Sequence, residues 1–295
     1  TSFRFVIRPP FYQTWYFIGS AVLALGLLII SYIKIRERSL KKENALLEEK
    51  IKDRTATVVA QKEELAQKNK LVSMIDNTFA SPVNQNPIDF GIDIVIHSAT
   101  KYMGGHSDIC AGAVASSHSH IEKIFQLAKN LGGSLSDYTV WLLERSLNTM
   151  GLRVRAQNKN AQKLAEYLNG HRDINNVYYP GLKEHPQHDL AKSQMHGFGG
   201  MLSFELLDAG KTSEFQKALK LIKSSMSLAG VESTLLSPAQ TSHALLTPEE
   251  RQQQGITDGL IRFSVGIEET EDLIADLEQA LKAISKDKNT LPVGN

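Results

Sequence analysis

Two kinds of hydrophobic spacing divide this chain near residue 70. From Trp15 to Ile33 the sequence reads WYFIGSAVLALGLLIISYI, without a charge. At about 1.5 Å per residue, a helix there is roughly 28 Å long, close to the hydrocarbon thickness of a bilayer. Trp15, Tyr16 and Phe17 mark one interface, and Lys34, Arg36, Arg38, Lys41 and Lys42 follow the other. The pattern predicts a transmembrane helix over 15–33 after a short extracytoplasmic stretch, 1–14, with the basic side in the cytoplasm. The rest of the chain is then cytoplasmic and tethered to the inner membrane. Over 34–70, Leu40 and Leu47 share one heptad seam, and Ile51, Val58 and Leu65 its companion; Arg54 and Gln61 interrupt the first. That spacing fits either a weak coiled-coil helix or a solvated linker helix.

Past residue 70 the period shortens. LVSMIDNTF and IDIVIHSATK are brief apolar runs with polar C-terminal ends, read as buried strands. LSDYTVWLLERSLNTMGLRVRAQNKNAQKLAEYLNGH reads as long helical sequence with a bend near Gly151. MLSFELL and GLIRFSVGI read as further strands. SEFQKALKLIKSS reads as an amphipathic helix with Phe215, Leu219 and Ile222 on one face. ETEDLIADLEQALKAI reads as a closing helix with Leu273, Leu277 and Leu281 on one stripe and Thr270 as its N-cap. Alternating strands and helices predict an α/β part over 71–174 and an α+β part over 175–295.

A net charge of +1 gives no support for nucleic-acid binding. A single cysteine, Cys110, cannot form an internal disulfide, so nothing points to an oxidising compartment. His185 and His188 straddle Pro186, and His118 and His120 have no nearby ligand set, so no metal site is expected.

The candidate chemistry lies at the ends of two apolar runs. Asp76 closes one and Lys101 follows the other, in HSATKYMGGHSD. An amine at the mouth of a sheet can form an imine with a carbonyl cofactor, and a carboxylate opposite can hold a ring nitrogen protonated. Ser98 and Thr100 offer hydroxyls suited to a phosphate. These are the parts that pyridoxal phosphate requires. Taken singly, each residue has an ordinary reading as a turn, cap or surface group; the set carries the hypothesis.

The stretch DNTFASPVNQNPIDFGIDIVIHSATKYMGGHSD resembles the active-site region of the cysteine/methionine-metabolism family of pyridoxal-phosphate enzymes. The likeness continues through GGSLSDYTVWLLERSLNTMGLRVR and VESTLLSPAQTSHALLTPEERQQQGITDGLIRFSVGIEETEDLIADLEQAL, covering about residues 71–290. It implies an aspartate-aminotransferase-type α/β fold, truncated here to a partial large domain plus a C-terminal domain. It implies a transsulfuration reaction on a sulfur amino acid, of the cystathionine γ-synthase, γ-lyase or β-lyase kind, and a homodimer or homotetramer. Residue by residue, it implies that Lys101 carries the cofactor and moves protons. Asp76 pairs with the ring nitrogen, and Ser98 and Thr100 bind the phosphate. Arg262 clamps the substrate carboxylate, and Ser233 helps orient it. Gly104 and Gly105 form a tight turn.

The resemblance also implies a segment before residue 71 that completes the cofactor cup. The membrane-like stretch stands in its place, so an incomplete cup and weak cofactor binding are expected of this chain. FRFVIRPPFYQTWYF, the apolar span and RTATVVAQKEELAQKN instead resemble a sensor histidine kinase, without its phosphoacceptor helix or nucleotide motifs. A second reading therefore stays open, of a membrane-anchored sensor remnant joined to an inactive enzyme piece, whether as a genuine fusion or through misassembly.

Overall fold

The computed structural model describes residues 71–285 without a break, together with isolated positions 23, 31, 32, 34, 36 and 69. The chain forms two compact units, Thr1–Leu71 and Val72–Asn295. Apart from those isolated positions, the membrane span over 15–33, the coil over 34–70 and the sensor resemblance fall outside the described residues. Among the described residues, no helix is long and apolar enough to cross a membrane.

The second unit begins with strand β1 (Met74–Asp76), a short helix α1 (Ser81–Asn84), then β2 (Ile94–Ser98) and β3 (Gly112–Ser116). These make a three-stranded sheet in the order β1-β2-β3. β1 runs parallel to β2 with Asp76 beside Ile96, and β3 runs antiparallel with Gly112 beside Ser98. The C-terminal ends of β1 and β2 therefore share one edge, where ligands bind in sheets with parallel strands. Among the described residues neither outer strand has a further partner, and Met74 and Val114 are exposed.

Helix α2 (His118–Leu131) leads to α3 (Asp137–Asn169), the spine of the unit. Ser136 caps α3, its hydroxyl accepting from the Thr139 amide at 3.3 Å. The helix runs unbroken through Gly151. An interior glycine costs only about 1 kcal/mol relative to alanine, and the buried Arg153 and Val154 anchor the helix just beyond it. In its first half, Ser146 and Arg153 are buried near the lysine loop. In its second half, Ala161, Leu164, Ala165 and Leu168 enter the main core.

That core lies against a five-stranded sheet in the order β4-β5-β8-β7-β6. Its strands are β4 (Ile174–Tyr178), β5 (Met201–Leu206), β6 (Lys223–Ser224), β7 (Thr234–Leu236) and β8 (Leu260–Ser264). Helices α4 (His188–Gln194), α5 (Thr212–Ala218), α6 (Pro248–Gln253) and α7 (Thr270–Ser285) lie between and after them. Phe204 meets Phe215 and Phe263 edge-on, with ring centroids 6.0 and 6.5 Å apart. Leu273, Leu277 and Leu281 all lie in this core, as their spacing predicts.

Two local expectations change. The helix expected to run from Ser213 into the 220s stops at Ala218, and Leu219 is already extended. The buried carboxylate of Asp276 explains the stop. It accepts the amides of Lys220, Leu221 and Ile222 at 2.8, 2.9 and 2.8 Å, and those donors are then lost to a helical ladder. Phe215 and Ile222 are buried nonetheless. Thr270 opens α7 rather than capping it, because its hydroxyl donates to Asn160 Oδ1 at 2.8 Å. Asp276→Ala should destabilise the unit by about 2–4 kcal/mol, because it strands donors that were bonded to a charge. Urea unfolding should show a lower midpoint with an unchanged slope.

Candidate active site

Asp76 ends β1, and Ser98 ends β2 on the same edge. Immediately after Ser98 the chain coils tightly. The Lys101 amide donates to Ser98 O at 3.0 Å, Gly104 to Ala99 O at 2.8 Å, and Gly105 to Lys101 O at 2.7 Å. Both neighbours of Lys101 are pinned. Thr100 Oγ1 accepts the Ala111 amide at 2.9 Å and lies 3.3 Å from Ala111 O. Tyr102 is buried, and its hydroxyl accepts the Gly200 amide at 3.0 Å. Burial pushes that phenol up to about 12, so it stays neutral. Between these anchors the Lys101 side chain is half-buried, and among the described residues its amine has no hydrogen-bond or ion-pair partner. A fixed backbone with a free amine is a suitable mount for a reactive lysine.

The turn after Lys101 requires glycine for a reason the sequence does not reveal. Gly105 has φ +72°, and a Cβ there would fall 1.9 Å from Arg153 Nη1. Arg153 is a buried cation held by oxygens of uncharged groups. It donates to Tyr102 O at 2.8 Å, Met103 O at 3.2 Å, Ser146 O at 2.8 Å and Thr149 Oγ1 at 3.1 Å. Burial lowers its pKa from the ordinary value. It fastens the lysine loop to α3.

Asp76 is an exposed carboxylate at the sheet edge. Thr78 donates to its Oδ1 through its hydroxyl at 2.5 Å and its amide at 3.0 Å. These bonds hold its pKa below the usual carboxylate value, the hydroxyl having the largest effect; burial opposes them weakly, and His97 adds a small favourable charge effect. Ser98 Oγ is half-buried and has no partner among the described residues.

Arg262, in the middle of β8, directs Nη2 to Met226 O at 3.0 Å and Ser227 O at 3.3 Å. Its Nε is buried without a partner. Burial lowers its pKa too. The segment holding Arg262 also grips the lysine loop: the Val231 amide donates to Gly105 O at 2.8 Å, and Ser227 Oγ lies 3.2 Å from Ser107 Oγ. Arg262 and Lys101 are thus tied to one junction, although 161 residues separate them in numbering.

Ser233 is placed differently from its expected role. It is 1 % exposed, and its hydroxyl donates to Glu268 Oε2 at 2.9 Å and accepts the Gly266 amide at 2.9 Å. Its proton is committed inside the protein. Two cavities, about 280 and 260 Å³, open elsewhere; the first is lined by Arg172, Asp208 and Lys211, the second by Asn77, Pro87 and His97. Neither is lined by Lys101 or Arg262.

These groups fit one side of a pyridoxal phosphate: a free amine, a carboxylate with one uncommitted oxygen, a free hydroxyl beside the lysine, and a buried guanidinium nitrogen awaiting an acceptor. The family model for Cys/Met metabolism PLP-dependent enzymes matches residues 37–282. The chain belongs to that family. Enzymes of the family use pyridoxal 5′-phosphate. Cystathionine beta-lyase from Lactococcus lactis subsp. cremoris (strain MG1363) is 45 % identical over 219 residues, covering 74 % of this chain and 58 % of that protein. Cystathionine gamma-lyase from Bacillus subtilis (strain 168) is 45 % identical over 222 residues, covering 75 % and 59 %. The crystal structure of cystathionine gamma-lyase from Lactobacillus plantarum complexed with L-serine superposes with a TM-score of 0.73 at 43 % identity, covering 77 % of this chain and 60 % of that one. The α/β pyridoxal-enzyme fold expected from the resemblance is therefore present. The chain spans just under three fifths of the length of these curated relatives.

Sequence reasoning missed Thr78 and Arg153. Thr78 had a local signal, since a residue two positions after an aspartate closes an Asx turn. Arg153 had none, because its partners Tyr102 and Met103 lie about fifty residues away.

Proposed function

We propose that this chain supplies the lysine-bearing part of an enzyme that eliminates or replaces the sulfur-linked group of cystathionine or a related amino acid. The observation that carries the reading is the half-buried Lys101 amine, unpartnered among the described residues and held between two pinned residues on the sheet edge that also carries Asp76. The relatives' cystathionine lyase and synthase activities support the substrate class.

Bound there, pyridoxal phosphate would supply an electron sink for charge developing on the substrate's carbons. Lys101 Nζ would hold the cofactor and, once released, carry the proton taken from the substrate's Cα. Asp76 Oδ2 would accept a hydrogen bond from the protonated ring nitrogen. Ser98 Oγ would donate to the phosphate. Thr100 Oγ1 would do likewise, its proton being only loosely engaged at 3.3 Å from Ala111 O. Arg262 would meet the substrate carboxylate with Nε and an adjacent Nη, as a two-point clamp. Ser233 would act indirectly, holding Glu268 and the Gly266 amide near the end of the strand that carries Arg262. Exposed Phe125, Tyr138, Trp141 and Leu152 on α2 and α3 support an assembly in which copies cover one another's apolar faces.

The test is product analysis of the full chain with pyridoxal phosphate and cystathionine. Keto acid and ammonia release is expected. Pyruvate with homocysteine assigns β-cleavage, and 2-oxobutanoate with cysteine assigns γ-cleavage. Absence of both products, and of cystathionine formation from an activated homoserine ester and cysteine, with the cofactor demonstrably bound, would overturn the reading.

A further inference from the structure

Thr78 connects the acid on β1 to the lysine-bearing strand β2. Its Oγ1 accepts the Ser98 amide at 2.7 Å, and the same hydroxyl donates to Asp76 Oδ1 at 2.5 Å. The direction of this chain is fixed. The Ser98 amide can only donate, so the threonine hydroxyl receives there and its single proton turns to the carboxylate. The Thr78 amide adds a second donor to Oδ1 at 3.0 Å. Oδ1 thus holds two donors, while Oδ2 has no partner among the described residues.

We infer that Thr78 is a positioning residue: it commits Asp76 Oδ1 to the protein, presents Oδ2 as the acid's acceptor for a protonated ring nitrogen, and sets that oxygen in register with Ser98 across two strands. The inference rests on the cofactor reading of Asp76 and adds a residue to it. One hydroxyl thereby couples the ring-nitrogen end of the site to the strand end that carries the phosphate-side serine. Neighbouring hydrogen bonds in such a chain reinforce one another. His97, between Ile96 and Ser98 on β2, is a titratable neighbour whose protonated form also lowers the Asp76 pKa, by less than the Thr78 bonds do.

The variants are Thr78→Val, which keeps the branched shape and removes both ends of the chain, and Thr78→Ser, which restores them. In the cofactor-free full chain, carboxyl NMR should show the Asp76 midpoint rising in Thr78→Val toward the ordinary 3.8. The Ser98 amide should exchange about tenfold faster, the size expected for losing one hydrogen bond of roughly 1.4 kcal/mol. Thr78→Ser should behave like wild type in both. A merely structural threonine would leave the Asp76 midpoint unmoved.

With ligand, the probes are pyridoxal phosphate and its analogue with carbon in place of the ring nitrogen. Wild type and Thr78→Ser should prefer the nitrogen ring, and Thr78→Val should lose about tenfold of that preference. An unchanged Asp76 midpoint in Thr78→Val, or an equal ring preference in all three proteins, overturns the inference. A wild-type chain that takes up neither ring counts against the cofactor reading, and the cofactor-free titration still decides whether Thr78 governs Asp76.

Discussion

Lys101→Ala should abolish covalent cofactor attachment and lower turnover by at least about 10³, while leaving the fold intact. Two properties of the site set this expectation. The alanine variant has no amine to join to the cofactor's aldehyde. On the proposed mechanism it also lacks the base that would serve the substrate's Cα, and a positioned acid–base group contributes about 10²–10⁴. The fold should tolerate the change because the Lys101 amine has no partner to lose among the described residues, and its neighbours are held by their own bonds to Ala111 and Gly200. Thermal unfolding should shift by no more than roughly 0.5 kcal/mol, as for a surface substitution. A variant that retained the cofactor's visible absorption band and its turnover would remove Lys101 from the mechanism. A variant that unfolded would give the side chain a structural role that its surroundings do not suggest.

Arg262→Lys should weaken recognition of substrate carboxylates by about thirtyfold or more. Losing one member of a hydrogen-bonded charge pair costs about 2–5 kcal/mol, and lysine cannot reproduce the planar two-point fork. The native guanidinium already gives Nη2 to Met226 O and Ser227 O, so Nε is the donor left for a ligand. The effect should appear in KM for amino acids and in inhibition by carboxylate analogues. Binding of amines that lack the carboxylate should stay near wild type. Equal losses for both classes would mean that Arg262 acts on the Met226–Val231 segment alone, and so only indirectly on the lysine loop.

Much of the fold was legible where the signal was local. β1, β2, β5 and β8 announce themselves as short apolar runs, and the leucine stripe of α7 points inward as its spacing requires. Family membership was legible because the stretch HSATKYMGGHSD packs two hydroxyls, a lysine and two glycines into one short segment. What escaped depends on partners distant in sequence. Helix α5 stops early because Asp276, more than fifty residues downstream, takes the amides that would have continued it. Gly151 suggested a bend, but α3 passes through it without interruption into the buried Arg153 and Val154. Gly105 looked like any turn glycine, and only the guanidinium of Arg153 beneath it shows why no side chain fits. Ser233 was expected to orient the substrate carboxylate, yet Glu268 takes its proton from 35 residues downstream. The span over 15–33 and the coil after it concern residues outside the described part of the chain.

Borohydride reduction traps a cofactor–lysine adduct however tightly or loosely the cofactor is held. The most direct test is therefore to mix the full chain with pyridoxal phosphate, reduce with borohydride, digest, and locate the modified lysine by mass spectrometry. Selective labelling of Lys101, at concentrations where the many exposed lysines remain unlabelled, is the expected result. Labelling spread among surface lysines with no preference for Lys101 would contradict the assignment of this edge as a pyridoxal-phosphate site.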